Sequence, residues 1–288
     1  MLLNKQPLVS IVIPCYNHAN FVQDCIQSVI DQTYHNIELI IIDDGSKDES
    51  VEKIRQLVSQ CQERFVRFEF RHRPNKGLCG TLNEALEWCK GEYYSVIASD
   101  DMIYRDKTQI QVDYLEKNNE CVAVFGGYDL IDNDNHIIEK RQNSFKKYQF
   151  ERIFLHEHDL PAPTQIIRMN ILRELGGYRS DIIIEDWYMW LKLAKFGELH
   201  YLNHTFSRYR SHPDNISKKI DVMNKGRFQV INEYKDNPLY NNAKRQITWI
   251  SLNESRRSES KKYIMNFIFF IVLNPVFFMN KFKNRYLK

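Results

Sequence analysis

The sequence predicts an α/β fold, with a mainly parallel sheet flanked by helices and a helical C-terminal extension. Over the first hundred residues, short apolar runs alternate with amphipathic segments. This is the pattern of parallel strands joined by crossover helices. A polar, turn-rich segment follows each apolar run, as expected where a parallel sheet binds ligands at the carboxyl ends of its strands. Beyond residue 217 the chain is helical and polar in pattern, and it then becomes strongly apolar.

The first half of the chain repeats a strand-then-helix unit. Residues 8–13 form a β-branched apolar run closed by Pro14, and residues 21–34 carry an apolar helical stripe. The unit recurs as IELIIID with SKDESVEKIRQLV, where Ser46 and Glu49 have the spacing of a capping box. FVRFEF with LCGTLNEALEWC, and then EYYSVIAS, complete the four strands. Such alternation predicts a right-handed, doubly wound parallel sheet.

After residue 106 the pattern becomes mixed. RDKTQIQVDYLEKN predicts a helix, and CVAVFGGYDLID and HIIEKR predict two strands around an Asp-Asn turn. KKYQFERIFLHEH and DIIIEDWYMWLKLAKFG predict two further helices, the second ended by Gly197. No repeat or low-complexity linker separates the two halves, so we expect them to share one body.

Size and composition limit the function only weakly. The 288 residues, 43% hydrophobic and 27% charged, suffice for one large or two modest globular domains. A formal net charge of +3 gives no argument for a nucleic-acid partner, and none is predicted. Six scattered cysteines without a C-x-x-C pair predict reduced, buried thiols in a cytosolic protein. The short apolar run at the N-terminus predicts a strand rather than a secretory leader.

The two aspartates of DDGS, Asp43 and Asp44, end the second predicted strand. A carboxylate at this position could accept the imide N–H of uracil, which cytosine lacks, and so select uridine or thymidine nucleotides. Alternatively, both residues only begin an Asx turn into the next helix. The motif leaves the two interpretations equal.

Asp100 and Asp101 end the fourth predicted strand side by side, and adjacent carboxylates repel each other unless a cation or solvent compensates them. Carboxylates completed by diphosphate oxygens and water are the usual site of Mg²⁺ or Mn²⁺. Such an ion would neutralise charge on a diphosphate leaving group. The alternative is a solvated turn, with Asp106 capping the following helix. The polar ends of the neighbouring strands favour the metal.

Glu185 and Asp186 begin a predicted helix, where both could simply complement the helix dipole. If the helix points into a cleft, one carboxylate could take a proton from an incoming hydroxyl. Trp187 and Trp190 could then wall the pocket with aromatic faces suited to a sugar ring. The sequence leaves these alternatives open.

Other polar residues near the predicted strand ends are weaker candidates. His212 could bind diphosphate or metal, although a loop histidine without such a role is commoner. Arg71, Arg73 and Lys76 offer phosphate contacts or only a basic loop. HEHD at 156–159 has metal-like spacing but no evident further ligands, and it indicates a surface helix end.

Together these segments resemble the family 2 glycosyltransferases of the GT-A fold. The matching pieces, in the family's order, are VSIVIPCYN, IELIIIDDGSKDES, NKGLCGTLNEAL, GEYYSVIASDD, GGY and IEDWYMWLKLAKFG, with YRSHPDNIS behind. The resemblance implies a Rossmann-like GT-A domain over residues 1–217. It divides into a nucleotide-binding half, 1–101, and an acceptor half, 102–217, and a helical extension follows at 218–288.

The resemblance also implies roles for particular residues. Asp186 matches the catalytic base of inverting members, and Asp101 matches a ligand of Mn²⁺ or Mg²⁺; we add His212 as a second predicted ligand. Ala98 replaces the first acid of the D-S-D-D pattern that many members carry, so the ligand set stays open. The residues predicted to bind the donor nucleotide are Pro14, Tyr16, Asn17, Asp44, Lys76 and Asp100.

The implied reaction is a direct displacement with inversion, in which a sugar passes from a nucleoside-diphosphate sugar, expected to be UDP-linked, to a saccharide or lipid-linked acceptor. The alternatives are a nucleotidyltransferase, a dinucleotide-dependent dehydrogenase, or a membrane-peripheral protein that binds nucleotide sugars without catalysis. PCYNH lacks the Gly-rich phosphate loop typical of the first two classes.

The apolar segment YIMNFIFFIVLNPVFFMN is interrupted by Asn266, Asn274 and Pro275 and is too short for a clean membrane span. Basic residues flank it on both sides, which suits insertion into an anionic leaflet without crossing it. We therefore expect a cytoplasmic protein, peripheral on the cytoplasmic face of the inner membrane, that builds a surface polysaccharide such as O-antigen or capsule. The alternative is a helix packed on the protein itself or on a second subunit.

Overall fold

The computed structural model describes residues 6–213, 215–255, 267 and 270–279. It divides the chain into two compact units, residues 1–215 and residues 216–288. The domain boundary predicted from the sequence lies after residue 217.

The strands of the first unit form one sheet. They are β1 (Val9–Cys15), β2 (Ile37–Asp43), β3 (Arg67–His72), β4 (Tyr93–Val96), β5 (Met102–Ile103), β6 (Cys121–Ile131), β7 (Ile137–Arg141), β8 (Lys146–Tyr148), β9 (Ile166–Arg168) and β10 (Glu198–Arg210). Their order is β3-β2-β1-β4-β9-β6-β10-β5, and β7 and β8 pair with β6 and β10.

The nucleotide-binding half has the predicted parallel arrangement. β1 pairs in parallel with β2 and β4, and β3 adds to the outer side of β2. Every residue of β2 is buried, as expected for a strand covered on both faces. Pro14 lies inside β1 rather than beyond it. The helices of this half are α1 (Val22–Ile30), α2 (Ser50–Arg55), α3 (Val58–Arg64) and α4 (Gly77–Trp88).

The predicted capping box of Ser46 and Glu49 is absent. The helix α2 begins only at Ser50, with Glu49 at its N-cap and no side-chain cap. The Ser46 hydroxyl instead donates to the Asp43 carboxylate. Ser46 therefore stabilises the turn at the end of β2 and does not cap α2, although its spacing from Glu49 predicted a cap.

The second half of the sheet joins the first through an antiparallel strand. β9 runs antiparallel between β4 and β6, whereas β6 and β10 pair in parallel. The short β5 pairs with Ser207 and Arg208 near the end of β10. This pairing places the segment that follows Asp101 beside the segment that leads to His212.

The helices of this half are α5 (Lys107–Lys117), α6 (Phe150–Phe154), α7 (Met169–Glu174) and α8 (Glu185–Leu193). The helix predicted over KKYQFERIFLHEH is wrong in its first part, because residues 146–148 form β8 and the helix covers only Phe150–Phe154. All six cysteines are buried and free.

The second unit contains α9 (Ile220–Asn232) and α10 (Tyr240–Ser255). Arg227 of α9 donates two hydrogen bonds, of 2.6 and 2.8 Å, to the Glu254 carboxylate of α10. The ring of Trp249 lies 6.1 and 5.9 Å from the rings of Phe270 and Phe278. Much of the predicted membrane segment and its basic flanks fall outside the described residues. Among the helices that are described, none combines the length and hydropathy needed to cross a bilayer.

Candidate active site

The loops that follow β1 and β2 are tied together by their own polar groups. The backbone N–H of Asn17 donates to the Ser46 hydroxyl at 2.8 Å, and its side-chain oxygen accepts the N–H of Lys47 at 2.7 Å. The N–H of His18 donates to the Ser50 hydroxyl at 2.9 Å. These bonds hold Asn17 at a φ of 55°, a left-handed conformation that asparagine tolerates better than most residues. Two strand ends therefore form one fixed rim.

Asp43 forms the turn that the second strand needs. Its buried carboxylate accepts the N–H groups of Gly45 and Ser46 at 3.2 and 3.0 Å and lies 2.8 Å from Nδ1 of His72. This is the Asx-turn arrangement expected of an aspartate at a strand end.

Asp44 has different partners and is 5% exposed. Its carboxylate accepts the N–H of Lys76 at 2.7 Å and contacts the Arg73 guanidinium. Asp43 thus forms the Asx turn that was one interpretation of DDGS. Asp44 does not take part in that turn, and its carboxylate contacts the loop after β3.

Arg73 and Lys76, predicted as phosphate contacts, share the carboxylate of Glu84. Arg73 Nε and Lys76 Nζ lie 2.9 and 3.0 Å from it, and Arg73 also donates to the Thr81 hydroxyl at 2.9 Å. Burial opposes ionisation of Glu84, but the hydrogen bonds from Lys76 and Arg73 hold its pKa below the usual value. Arg73 is therefore fixed between two acids, with one guanidinium edge against Asp44.

The Asp100 carboxylate lies between two histidines. Its Oδ2 is 2.8 Å from Nε2 of His212, and its Oδ1 is 3.8 Å from Nδ1 of His18. Asp100 and His212 are buried, and His18 is partly exposed. One ligand atom from each of the three residues lies within 4.8 Å of the others. Carboxylate oxygen and imidazole nitrogen are both common metal ligands, so this group could hold a divalent ion.

The neighbouring Asp101, which the sequence predicts as a metal ligand, contacts Arg210, whereas Asp100 lies in the group with the two histidines. Asp101 is 1% exposed, and its carboxylate accepts the backbone N–H of Arg210 at 2.8 Å. Burial and the charge of Asp100 raise the pKa of Asp101 well above its usual value.

Arg210 supplies the positive charge behind the two aspartates. Its side chain is fully buried and donates from Nε to the Asp100 carbonyl at 2.8 Å. The same guanidinium donates to the carbonyl of Asp132 at 2.8 Å and to the side-chain oxygen of Asn135 at 2.6 Å. It also lies 4.5 Å from the centre of the Phe21 ring. Arg210 thus ties the aspartate pair to the β6–β7 turn and to the start of α1.

The carboxylates of Glu185 and Asp186 stand at the start of α8. Asp186 accepts the backbone N–H of Trp187 at 2.6 Å. Burial raises the pKa of Asp186, and burial together with the charge of Asp186 raises the pKa of Glu185 to about 8. A raised pKa makes a carboxylate a stronger proton acceptor once it is ionised.

The turn before α8 is held by α4. Asn83 of α4 donates to the Tyr178 carbonyl at 2.8 Å and accepts the Tyr178 N–H at 2.7 Å. Gly177 has a φ of 80° and packs against the Asn83 side chain. Burial, and then the charge of Glu185, raise the pKa of the Cys79 thiol in the first turn of α4 to about 11. Asn83 of α4 therefore fixes the segment that leads to α8.

Trp187 and Trp190 do not form the aromatic pocket wall that the sequence left open as one alternative. Both side chains are buried, at 2% and 1% exposure. Trp187 donates to the Ile153 carbonyl at 2.9 Å, and Trp190 packs edge-on against Phe125 with ring centres 4.8 Å apart. These residues anchor α8 in the core because they share its inward face.

The structure also places the other predicted donor-binding residues. Pro14 belongs to β1, and Tyr16 is 46% exposed at the rim. Sequence reasoning missed His18, Ser99 and Arg210. Two signals were available: His18 follows Asn17 directly in a predicted strand-end loop, and Arg210 lies two residues before His212.

The chain has clear relatives. The family model described as Glycosyl transferase family 2 matches residues 10–176. An uncharacterized glycosyltransferase of Rickettsia felis is 30% identical over 224 residues, which is 76% of this chain and 36% of that protein. The chondroitin synthase of Escherichia coli is 29% identical over 262 residues, which is 86% of this chain and 37% of the synthase. The hyaluronan synthase of Pasteurella multocida is 28% identical over 267 residues, which is 92% of this chain and 26% of the synthase. The chain thus spans between about a quarter and just over a third of their length.

Solved structures share the fold. S. aureus TarS 1-349 in complex with UDP-GlcNAc superposes with a TM-score of 0.63 at 16% identity, covering 88% of this chain and 74% of that one. The mannosyltransferase PcManGT from Pyrobaculum calidifontis, in complex with GDP-Man and Mn²⁺, gives 0.64 at 14% identity, covering 94% and 81%. These likenesses confirm the predicted GT-A fold, a mainly parallel sheet flanked by helices. The family match confirms the resemblance noted in the sequence and, at the level of the family, the predicted enzyme class. The chain belongs to glycosyl transferase family 2.

Proposed function

We propose that the chain transfers a sugar, with inversion, from a UDP-linked donor to a saccharide or lipid-linked saccharide. The observation that carries this proposal is the pairing of the Asp100 carboxylate with His212 after β4, in a sheet that presents Asp44 after β2, with β1 between the two strands. A diphosphate and a base are the two parts of a nucleotide sugar that such groups bind. The relatives named as polysaccharide synthases support a saccharide acceptor.

Asp44 and Arg73 form the base-binding pair in this proposal. A carboxylate acceptor beside a guanidinium donor matches the imide edge of uracil, which presents an N–H next to a carbonyl oxygen. The corresponding edge of guanine has the same pattern, whereas cytosine and adenine do not. TarS and PcManGT, with similar folds, are described with UDP-GlcNAc and GDP-Man, so both nucleotides belong in the test.

Asp100 and His212 would hold Mn²⁺ or Mg²⁺, with the predicted ligand Asp101 behind them against Arg210. These side chains suit a divalent ion, because a buried carboxylate and an imidazole are ordinary ligands of such ions. The ion, when bound, supplies charge neutralisation at the diphosphate. The protein's own contribution there is Arg210, which compensates the aspartates and fixes the turn that carries them.

Asp186 takes the proton of the acceptor hydroxyl. The N–H of Trp187 orients its carboxylate, and burial raises its pKa. The two tryptophans that bury α8 fix the position of this carboxylate, which suits a base that must meet one hydroxyl at the anomeric carbon.

The membrane location is part of the proposal. In the second unit, Trp249 packs with Phe270 and Phe278 while neighbouring apolar side chains remain exposed. Those exposed side chains are Val272, Leu273, Val276 and Met279, at 69%, 61%, 70% and 56%. Such a patch beside a basic sequence suits shallow insertion into the anionic cytoplasmic leaflet of the inner membrane. A lipid-linked acceptor for a surface polysaccharide would be presented there.

The decisive experiment compares the wild type with Asp186→Asn and, as a control, Asp113→Asn on the exposed side of α5. Release of nucleoside diphosphate from UDP- and GDP-sugars is measured with Mn²⁺ and a mixed saccharide acceptor. We expect turnover to fall at least ~100-fold in Asp186→Asn, with donor binding by calorimetry retained. Equal turnover in all three proteins would contradict the proposal, and donor binding without turnover in the wild type would favour a non-catalytic binding protein.

The membrane proposal has its own test. Co-sedimentation with anionic phosphatidylglycerol vesicles is compared for the wild type, Val276→Asp and Val66→Asp, since Val66 is a similarly exposed valine in the first unit. We expect only Val276→Asp to lose binding. Loss of binding in neither variant would contradict the assignment.

A further inference from the structure

His18 lies beside the proposed ion site although its position in the sequence gave it no role. Its Nδ1 is 2.7 Å from the Ser99 hydroxyl and 3.8 Å from Oδ1 of Asp100, whereas His212 contacts Oδ2 of the same carboxylate. The Asp100 carboxylate therefore has one imidazole at each oxygen. This places a third metal-binding side chain at the site, from the first loop of the fold.

The backbone holds His18 in place. Its own N–H is bonded to the Ser50 hydroxyl, and the preceding residue is bonded to Ser46 and Lys47. The next residue, Ala19, donates to the Asp48 carboxylate at 2.9 Å. Hydrogen bonds from three successive residues fix the direction in which the His18 side chain leaves the loop. A ligand held in this way needs little ordering when an ion binds.

The rings around the site are packed against one another. Phe21 stacks on His212 with ring centres 5.8 Å apart and 27° between the planes. His18 meets His212 edge-on at 5.9 Å and meets Phe21 at 6.2 Å. Both imidazoles are thus positioned by the same phenylalanine, itself the N-cap residue of α1. The positions of the two histidines are therefore coupled through their contacts with each other and with Phe21.

We propose that His18 is a third protein ligand of the divalent ion, and that the resulting two-imidazole, one-carboxylate set selects a transition-metal ion such as Mn²⁺ over Mg²⁺. The inference rests on the proposed function for the presence of the ion. The ligand atoms lie within 4.8 Å of one another, and ligands ~2.1 Å from one ion lie about 3 to 4 Å apart, so small side-chain movements would bring the three residues to coordination distance.

The selectivity follows from the ligands. Mg²⁺ prefers oxygen and gives up its water reluctantly. Imidazole nitrogen favours first-row transition ions. With only Asp100 and His212, a site would offer one oxygen and one nitrogen, and the nucleotide's phosphates would decide the ion. Adding His18 makes nitrogen the majority among the protein ligands, so the protein itself discriminates before any nucleotide binds.

The test measures metal binding alone, without donor or acceptor. Mn²⁺ and Mg²⁺ are titrated by calorimetry into the full-length wild type, His18→Gln and His35→Gln; His35 is an exposed histidine outside the group. We expect His18→Gln to bind Mn²⁺ at least ~10-fold more weakly, with Mg²⁺ affinity changed much less and His35→Gln like the wild type. Unchanged Mn²⁺ affinity in His18→Gln, or equal losses for both ions, would overturn the proposal.

A second measurement needs only the wild type and so does not depend on whether a variant folds. Electron spin-echo envelope modulation of the bound Mn²⁺ should show nitrogen couplings from two coordinated imidazoles. Coupling to only one imidazole would overturn the role of His18. Glycosyl transfer does not enter either measurement, so selective Mn²⁺ binding in a chain without turnover would support this inference while contradicting the proposed function.

Discussion

The backbone N–H of Arg210 donates to the Asp101 carboxylate at 2.8 Å, while the Arg210 side chain donates to the carbonyl of Asp100 at the same distance. One residue at the end of β10 therefore holds both aspartates of the SDD turn. The arrangement also answers why two adjacent acids can be buried at the end of an apolar strand. The buried guanidinium of Arg210 compensates their charge, and the Asp100 carboxylate is part of the group with His18 and His212 that could hold a divalent ion.

Replacing Arg210 by methionine should lower the free energy of unfolding by about 3 to 5 kcal/mol, because two acids lose their buried countercharge. Arg141→Met is the control, since Arg141 pairs with Glu139 at the surface and such pairs contribute about 0 to 1 kcal/mol. Denaturant unfolding measures both. Mn²⁺ should restore part of the stability of Arg210→Met, because an ion that binds only the folded state stabilises it. Equal effects of the two substitutions would contradict the role assigned to Arg210.

Gly177→Ala should be more destabilising than Gly176→Ala. Both glycines have positive φ, 80° and 75°, but a Cβ at Gly177 would meet the Asn83 side chain, whereas a Cβ at Gly176 meets open space. Backbone strain alone should cost about 1 to 2 kcal/mol at either position. The excess at Gly177 reports the Asn83–Tyr178 hydrogen bonds and should be accompanied by lower turnover, because that turn leads to Asp186. Thermal unfolding and initial rates measure the two effects. Equal melting temperatures and equal rates for the two variants would show that the contact between Gly177 and Asn83 is unimportant.

Glu185→Gln should stabilise the fold in a pH-dependent way. An unfolded glutamate ionises near pH ~4.3, whereas in the folded protein the pKa of Glu185 is about 8. Between these values the unfolded state releases the proton and the folded state keeps it, so wild-type stability falls as pH rises. The melting temperature of Glu185→Gln minus that of the wild type should therefore grow from about pH 4.5 to 8 and then level off. Glu174→Gln, an exposed change on α7, controls for net charge. A constant difference across this range would show that Glu185 is not protonated in the folded protein.

Asp44→Asn should weaken UDP binding about 10- to 100-fold, because the amide can present a donor where the imide N–H needs an acceptor. It also removes the charge that faces Arg73. CDP and UDP titrations by calorimetry give the comparison: the wild type should prefer UDP strongly, and the variant should lose most of that preference. Asp113→Asn serves as the exposed control. A variant that keeps full preference for UDP would place base recognition elsewhere.

Local pattern predicted the parallel half of the sheet well, because apolar runs and helical stripes are properties of neighbouring residues. β9 was not predicted, because its three residues, IIR, are too few to show the alternation of apolar and polar side chains that identifies a strand. The sequence could not show that Asp43 forms the turn and Asp44 contacts Arg73. The two side chains are identical, and their partners depend on the direction in which each side chain points at the end of β2. The burial of Trp187 and Trp190 was accessible in principle, because a spacing of three residues places both on one helix face.

The site itself depends on contacts between distant parts of the chain. Asp100 and Asp101 were identified from their place at a strand end, but their different partners come from β10, which pairs with β5 and so reaches them from far along the sequence. His18 meets Asp100 only because β1 and β4 are neighbours in the sheet. Strand order is a property of the whole fold, and single-sequence patterns do not contain it.

The three residues of the group, His18, Asp100 and His212, come from the loop after β1, the turn after β4 and the segment after β10. During synthesis on the ribosome, the N-terminal histidine emerges early and must wait for its counterpart until nearly the entire unit has left the exit tunnel. Contacts that join such remote positions close late in folding. Under the proposed function, ion binding would therefore follow the folding of nearly the whole first unit, and a polypeptide that ends before His212 would lack one of the proposed ligands.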